Sequence, residues 1–299
     1  MSVSAGRQGG LAIIAALIVV LAASAMATAV IQRQGVLADF LITERNRAQA
    51  QWLLRGGLDW SRLILRIDAQ RNAATRLDGL WTHPVLDLPV GRAEAPGRML
   101  LSGQIEDEQG KFNLARLAQG GRIEARALAA LEGMLRQLRI DPTLAAVMAQ
   151  RVAQSQPGDD RAPTAMGLRG IDDLRLTEGF PAAVVDVLQA YLTVLPARTP
   201  LNVNTCPPEV LAAAIPGLGL AAARELLGQR DRGQWFVSRG DFFNRSRIAP
   251  GEAVQDIAVE STWFRVSGEV RVDATIMGLR ALLHRDKQGP PAVRWVDYQ

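Results

Sequence analysis

The longest stretch of the chain without a charged residue lies near its start. From Leu11 to Ile31 no side chain carries a charge, and most side chains are apolar. A helix needs about 20 apolar residues to cross the roughly 30 Å of hydrocarbon in a membrane. The pattern therefore predicts a helix that is long enough to span a membrane.

Beyond Ile31 the same helix is predicted to continue to about Arg71. No linker rich in glycine, proline or serine follows, and apolar residues recur at spacings of three, four or their multiples. The predicted apolar stripe consists of Val36, Leu37, Phe40, Leu41, Ala48, Trp52, Trp60, Leu63, Ile64 and Ile67. The pair Gly56 and Gly57 costs the helix about 1–2 kcal/mol, and a bend is expected there.

Apolar and polar residues alternate with a period of two in two separate parts of the chain, which predicts strands. The predicted strands are Met99–Glu106, Phe264–Asp273, Ile276–His284 and Val293–Tyr298. A turn at 108–111 is expected to lead into a returning strand that begins at 112–114, and residues 72–97 are predicted as loop. Such clean alternation indicates an antiparallel sheet with one face in water.

Between about Leu114 and Ala258 the period of the apolar residues becomes helical. The predicted helices cover 127–138, 144–152, 171–177 and 181–192, and further helices begin near Pro207, Ala221 and Ser238. Residues 154–170 are polar and are predicted as loop. Strands, a helical block and strands again predict an α+β protein in which an all-α domain is inserted into a sheet domain.

Composition and charge limit the classes of protein to which the chain can belong. With 48% hydrophobic and 21% charged residues the chain is expected to fold, so wholesale disorder is excluded. The 34 Lys and Arg face 30 Asp and Glu without a block of like charge, which does not indicate a dedicated nucleic-acid binder. The single cysteine, Cys206, excludes an intramolecular disulfide and a cysteine-based zinc site.

The sequence does not indicate an enzyme. His83 and His284 are the only histidines, and the zinc-protease, serine-hydrolase and P-loop motifs do not occur. With so few imidazoles, a catalytic triad is not expected.

The strongest local motif lies at 201–236 and predicts a helix-hairpin-helix, with its tight turn at Pro216, Gly217 and Gly219. Such glycines let backbone N–H groups point outward and hold a phosphate, so DNA binding is one interpretation. The other is a structural pair of helices whose turn needs glycine. Across 201–247 six arginines face four acids, a weak field for phosphates, which favours the structural interpretation.

Two groups of neighbouring acids are weak candidates for a metal site. Glu106, Asp107 and Glu108 are consecutive near the predicted turn, and Asp159 and Asp160 lie in the polar loop. A hard cation such as Ca²⁺ takes about six to eight oxygen ligands, so either group would need further donors. No cofactor is otherwise indicated, and Ca²⁺ is the one candidate.

The residues before the apolar run leave three interpretations of the N-terminus. A secretory signal would use Arg7 as its charged region and be cut at the small residues 25–27. A plain membrane anchor would be held with its N-terminus in the cytoplasm by Arg7. A charged leader ending in glycine also resembles the type IV prepilin pattern, in which cleavage after Gly10 makes Leu11 an N-methylated terminus and the helix stays as anchor. The long continuation of the helix favours the prepilin interpretation.

Further phrases extend this resemblance along the chain: GQIEDEQGKFNLARL at 103–117, LNVNTCPPEVLAA at 201–213, and the closing strands. Together with the leader and the long helix, they resemble the K subunits of the type II secretion system, a family of minor pseudopilins. The resemblance covers essentially the whole chain. It implies a type IV pilin-like fold, with a long N-terminal helix packed on an antiparallel sheet and a large all-α domain inserted.

The resemblance also implies an organisation and a set of partners. The segments would be a leader at 1–10, a membrane span at 11–31, a pilin-like domain at 32–113 and 259–299, and the inserted helical domain at 114–258. The protein would cross the inner membrane once, with its N-terminus cytoplasmic and its main body periplasmic. It would cap the tip of a pseudopilus with the minor pseudopilins I and J. The H subunit, the major pseudopilin, the prepilin peptidase and the assembly platform are further expected partners; nucleic acid is not.

One position in the helix is informative beside the family pattern. Most type IV pilins carry glutamate as the fifth residue of the mature chain, whereas the K subunits lack it, and the corresponding residue here is Ala15. A carboxylate in lipid is costly unless it meets a partner such as a neighbour's N-terminal amine. A subunit at the tip has no chain above it to offer that amine, so Ala15 is expected to mark a tip position.

Overall fold

A computed structural model describes residues 9–91, 99–158, 162–177, 179–273, 275–286 and 289–299. The helices are α1 (Gly9–Arg71), α2 (Ala125–Gln137), α3 (Leu144–Gln154), α4 (Ala182–Leu188), α5 (Pro208–Ala214), α6 (Leu220–Asp231) and α7 (Arg239–Ser246). The strands are β1 (Val85–Val90), β2 (Met99–Asp107), β3 (Phe112–Asn113), β4 (Ala118–Gln119), β5 (Arg122–Ile123), β6 (Leu192–Thr193), β7 (Leu201–Asn202), β8 (Ile257–Ala258), β9 (Trp263–Val272), β10 (Thr275–His284) and β11 (Ala292–Tyr298). Short 3₁₀ helices cover Leu80–Thr82, Glu108–Gly110, Leu114–Leu117, Ile171–Leu176 and Gly251–Asp256. The predicted α+β class is confirmed.

Helix α1 is continuous over 63 residues and passes through the two glycines at 56 and 57 without a break. Its last turns bury one face against the sheet, formed by Ala50, Leu54, Leu58, Ser61, Leu65 and Asp68. The buried face differs from the predicted apolar stripe, in which Trp52, Trp60 and Leu63 are 70%, 53% and 51% exposed. Periodicity identifies an apolar face, but it does not show which of two such faces the sheet covers.

The main sheet has five antiparallel strands in the order β1-β2-β9-β10-β11. Strand β2 pairs with β9 although the whole helical block lies between them in sequence. One face of the sheet packs on α1 around a core that includes Phe264, Val266, Val270, Leu279 and Ala281. The long helix on an antiparallel sheet and the insertion between β2 and β9 agree with the predicted architecture.

The block between β2 and β9 has its own, larger core. Helices α2 to α7 and short strand pairs enclose buried residues such as Leu131, Met134, Met148, Phe236 and Phe242. Because this core and that of the sheet are separate clusters, each part buries its own apolar side chains.

Two predictions about individual strands were wrong. Strand β3 does not return along β2; it pairs in parallel with β6 inside the helical block. The 3₁₀ helix at Glu108–Gly110 turns the chain out of the sheet at this point. Strand β1 was predicted as loop because of Pro84, Pro89, Pro96 and the glycines in this part of the chain. In the structure the strand is interrupted at Asp87, which has a φ of +46°, and it contains Pro89. Such interruptions are typical of an edge strand, which is the place of β1 in the sheet.

Candidate functional site

The first half of α1 presents apolar side chains to its surroundings. Every side chain from Ile13 to Ile42 is exposed, and α1 is the one described helix that is long and apolar enough to cross a membrane. Ala15 lies in this exposed part. Gly10 and Leu11 lie in the first turns of α1, but their side chains and residues 1–8 are outside the described part of the chain.

A groove runs between the last turns of α1 and the strands β1 and β2. It has a volume of about 520 Å³ and is lined mostly by apolar side chains, among them Trp52, Trp60, Leu80 and Leu88. Gly56 and Gly57 also line the groove, and a Cβ atom added at either would meet nothing within 4 Å. Neither glycine is therefore needed by the packing of this chain, and both widen the groove.

The exposed tryptophans give this groove the character of an interaction surface. Trp52 is 70% exposed, Trp60 53% and Leu80 73%. Contiguous exposed apolar surface of this kind typically marks a site where another protein or a membrane is bound. The sequence placed both tryptophans on an apolar stripe of the helix but did not show that this stripe is exposed. The glycine pair between them was interpreted as the site of a bend; because the packing of this chain does not need it, it is the signal in the sequence that could have identified this surface.

The three consecutive acids Glu106, Asp107 and Glu108 accept hydrogen bonds from different sets of partners. Glu106 accepts hydrogen bonds from Lys111 Nζ at 2.9 Å and from Arg265 Nη2 at 2.5 Å. Burial raises the pKa of Glu106, but attraction to these two cations outweighs it and lowers the pKa to about 2. Glu108 accepts from Lys111 Nζ at 2.8 Å and from the hydroxyl of Thr193.

Asp107 is the buried member of the three and lies where the sheet meets the helical block. Its Oδ2 atom accepts from Thr205 Oγ1 and Ser261 Oγ, each at 2.6 Å, and from Asn202 Nδ2 at 3.1 Å. Its Oδ1 atom accepts from the backbone N–H of Gln109 at 2.8 Å. Burial raises the pKa of Asp107, while these four hydrogen bonds oppose the rise.

A second polar group extends this contact to the end of α1. Arg285 donates to Asp68 Oδ2 at 3.0 Å, to Thr75 Oγ1 at 2.6 Å and to the backbone oxygen of Ser261 at 2.7 Å. Asn202 Nδ2 also donates to Ser261 Oγ at 2.7 Å and to the backbone oxygen of Thr75 at 3.2 Å. We call Asp68, Thr75, Asp107, Asn202, Thr205, Ser261 and Arg285 the polar joint. Sequence reasoning missed it as a unit.

The described part of the structure does not bring the candidate ligands together as a metal site. Among the residues that the structure describes, no group of three or more His, Cys, Asp or Glu side chains is placed to hold a metal ion. The oxygens of residues 106–108 instead accept from protein donors. Asp159 and Asp160 lie outside the described residues.

The predicted helix-hairpin-helix is formed by α5, a turn and α6. Gly217 has a φ of +83°, a conformation that favours glycine, so the backbone itself accounts for this residue. A Cβ atom added at Gly219 would meet nothing within 4 Å. Pro216 lines a neighbouring cavity. Arg230 is buried and donates to the backbone oxygen of Cys206 at 2.7 Å, and Arg224 pairs with Glu209 at 3.2 Å. These arginines serve internal contacts.

Two family models, each described as type II secretion system (T2SS) protein K, match the chain. They match residues 110–197 and 201–264, and together they cover about half of it. Three curated relatives are named type II secretion system protein K. The chain is 26% identical to that of Pectobacterium carotovorum subsp. carotovorum, with 94% of each chain covered. It is 26% identical to that of Klebsiella pneumoniae, with 91% of this chain and 89% of the relative covered. It is 23% identical to that of Pseudomonas aeruginosa, with 94% and 90% covered.

A solved structure shows the same fold. It is described as the GspK-GspI-GspJ complex from the enterotoxigenic Escherichia coli type 2 secretion system. The matching chain has a TM-score of 0.64 at 18% sequence identity, and the match covers 86% of this chain and 98% of that chain.

Proposed function

Because the chain belongs to the type II secretion system protein K family, we propose that it caps the tip of a periplasmic pseudopilus and helps to initiate its assembly. The family supports a minor pseudopilin role. The observation that carries the proposal is α1, which is exposed and apolar over its first half and packed on an antiparallel sheet over its last turns. A subunit built in this way is held by its stem in a membrane and presents a folded body outside it.

The proposal includes processing of the N-terminus. The leader at 1–10 is cut after Gly10, Leu11 becomes an N-methylated terminus, and residues 11–31 anchor the chain in the inner membrane. The main body then lies in the periplasm, with a pilin-like domain at 32–113 and 259–299 and an inserted helical domain at 114–258. An intact mass of the membrane-purified protein tests this. Loss of residues 1–10 with gain of one methyl group supports the proposal, whereas a terminus at Thr28 overturns it.

Minor pseudopilins I and J are the proposed partners, as suggested by the complex to which the chain is similar in fold. We assign the groove beside α1 to one of these partners, because its exposed tryptophans need an apolar cover. In subunits anchored in the same membrane the N-terminal helices lie side by side. We therefore propose that the N-terminal helix of a partner packs into the groove. The H subunit, the major pseudopilin and the assembly platform are further proposed partners.

The proposed action is mechanical. The tip complex starts assembly, and the growing pseudopilus pushes folded proteins toward the outer-membrane pore. Deleting the gene is therefore expected to stop secretion, and the intact chain is expected to restore it. Normal secretion without the gene would overturn the proposal.

A further inference from the structure

The two edge strands of the main sheet differ in how regular they are. Strand β1 has a bulge between Val85 and Leu88, and Pro89 offers no backbone N–H group. Strand β11 is regular from Trp295 to Tyr298, and within the described part of the chain no strand pairs with its outer side. Bulges and prolines protect an edge strand from pairing with another chain. This part of β11 has neither protection.

The hydrogen bonds at the end of β11 show which backbone groups face outward. Gln299 exchanges two backbone hydrogen bonds with Gly278 of β10, at 2.8 Å and 2.9 Å. In an antiparallel pair such residues alternate with residues whose N–H and C=O groups point away from the neighbouring strand. Tyr298 and Val296 are the alternate residues of this regular ladder. Their backbone groups therefore point to the open edge.

The side chains of Val296 and Tyr298 lie on the face of the sheet that packs on α1. They are opposite Ala281 and Leu279, which belong to the core under α1, and opposite residues share a face. Val296 is nevertheless 38% exposed and Tyr298 42%. The open edge thus combines unpaired backbone groups with apolar side chains that this chain covers only in part.

The side of α1 next to β11 is basic. Arg62 donates to the backbone oxygen of the residue that precedes β11, at 2.8 Å. Arg55 and Arg66 lie on the same side, about two turns before Arg62 and about one turn after it. Arg62 pairs with Asp59 at 2.9 Å. Arg55 lies over the ring of Trp52, and neither it nor Arg66 forms an ion pair within the described residues. From 55 to 66, α1 therefore offers two cations without a counter-charge.

These features together favour one kind of occupant. An added strand would satisfy the outward N–H and C=O groups of β11. Its side chains on the α1 side could cover Val296 and Tyr298 and place carboxylates near Arg66. A second copy of the chain would instead bring its own arginines to the same place. We propose that the open edge of β11 binds an extended segment of another protein in which apolar and acidic side chains face α1. The edge lies at the other end of the sheet from the groove, and the proposal does not rest on the tip-capping role.

The test measures binding of a fluorescently labelled nonapeptide to the full chain in detergent micelles. In this peptide threonine occupies every second position, and valine and glutamate take turns at the positions between. One comparison peptide has lysine in place of glutamate, and another has two adjacent prolines at its centre. Val296→Pro removes an outward N–H group and no ladder hydrogen bond to β10, whereas Val296→Thr keeps that group. Arg66→Ala removes a cation beside β11, and Arg71→Ala, exposed on another side of α1, is its matched control.

The glutamate peptide is expected to bind. Val296→Pro should weaken binding about tenfold or more, and Val296→Thr should change it by less than about threefold. Arg66→Ala should weaken binding about twofold or more, and Arg71→Ala should leave it unchanged. Circular dichroism of each variant confirms that the fold is intact. If Val296→Pro does not fold, the glutamate and proline peptides on the wild type test the same backbone contact.

Absence of binding overturns the proposal. Equal binding of the lysine peptide or of the proline peptide overturns it as well, because neither the charge nor the backbone pairing would then matter. Equal losses in Val296→Pro and Val296→Thr would show that the outward N–H group is not the contact. Self-association of the chain that is lost in Val296→Pro would assign the edge to a second copy instead.

Discussion

The pKa values of two adjacent carboxylates at the end of β2 are shifted in opposite directions, although burial raises both. Lys111 and Arg265 lie next to Glu106, so its charged form is stabilised and its pKa is lowered to about 2. Asp107 meets only neutral donors in its hydrogen bonds, so burial raises its pKa. The difference comes from which neighbours the fold provides, since the two residues are adjacent in the sequence.

Glu106 is therefore expected to make stability depend on pH. Its folded-state pKa of about 2 lies below the ordinary value of 4.5, so its contribution is complete above pH 4.5 and is lost as the pH falls toward 2. Asp107, whose pKa is raised, acts with the opposite sign and favours the folded state at low pH. Glu106→Gln should lower the melting temperature near neutral pH and should cost progressively less as the pH falls.

Thermal denaturation of the wild type and the variant at several pH values checks this prediction. Glu44→Gln is the matched control, since Glu44 lies exposed beside Arg47 and such a pair contributes little at any pH. A difference between Glu106→Gln and the wild type that is the same at every pH would contradict the assigned cause.

Helix α1 is the element that connects the fold to the proposed function. Its sheet-facing side is filled by residues of this chain, whereas the side that carries Trp52 and Trp60 is exposed. An exposed apolar side costs stability in water, so it indicates that α1 works inside an assembly.

Trp60→Glu is expected to weaken the proposed contact with I and J. A buried tryptophan at an interface commonly contributes 2 kcal/mol or more, so recovery of I and J with the solubilised chain should fall by about tenfold or more. Because Trp60 is 53% exposed in the free chain, the stability of the variant should stay within about 1 kcal/mol of the wild type.

Leu176→Glu, at an 89% exposed position of the helical block, controls for a new surface charge. If the wild type recovers I and J and Trp60→Glu recovers as much, the groove is not the contact. If the wild type itself recovers neither, the proposed partners are wrong.

Ala15 offers a test at the other end of α1. Ala15→Glu places a carboxylate in the proposed membrane span, where a charge costs about 2.5 kcal/mol or more unless it is paired. At a tip position no partner is expected, so secretion should fall in the glutamate variant and persist with Ala15→Leu. Normal secretion with Ala15→Glu would show that the position does meet a partner.

At the scale of the whole molecule, the polar joint connects two separate cores. The side chain of Asp107 joins the end of β2 to Asn202 and Thr205 in the helical block and to Ser261 before β9. These hydrogen bonds hold the two cores together, as the proposed mechanical role would require.

Asp107→Ala should therefore be the most costly change in the joint. It removes the acceptor of the buried Ser261 hydroxyl and of the half-buried Thr205 hydroxyl, so the free energy of unfolding should fall by about 2 kcal/mol or more. Chemical denaturation of the full chain measures the change. Asp78→Ala, which breaks only a surface pair with Arg76, should cost about 0.5 kcal/mol or less. Equal costs for the two variants would contradict a structural role of the joint.

Local patterns were sufficient for the long helix, for β2, β9, β10 and β11, and for the insertion of a helical block, because side-chain period reports directly on local backbone geometry. The strand β1 was missed because an edge strand tolerates the residues that break its pattern. In the helical block the predicted helix at 181–192 ends at Leu188, since Leu192 and Thr193 join a strand pair instead.

The sequence alone determined the class of fold, the anchor-like helix and the family, since these depend on composition, period and contiguous motifs. Only the tertiary structure decided which face of α1 is buried, and that Asp107 lies in the polar joint while Glu106 is paired with cations. These depend on contacts between residues far apart in the chain. The environment of a side chain depends on the residues that pack against it in the fold. The order of residues along the chain does not show which residues these are.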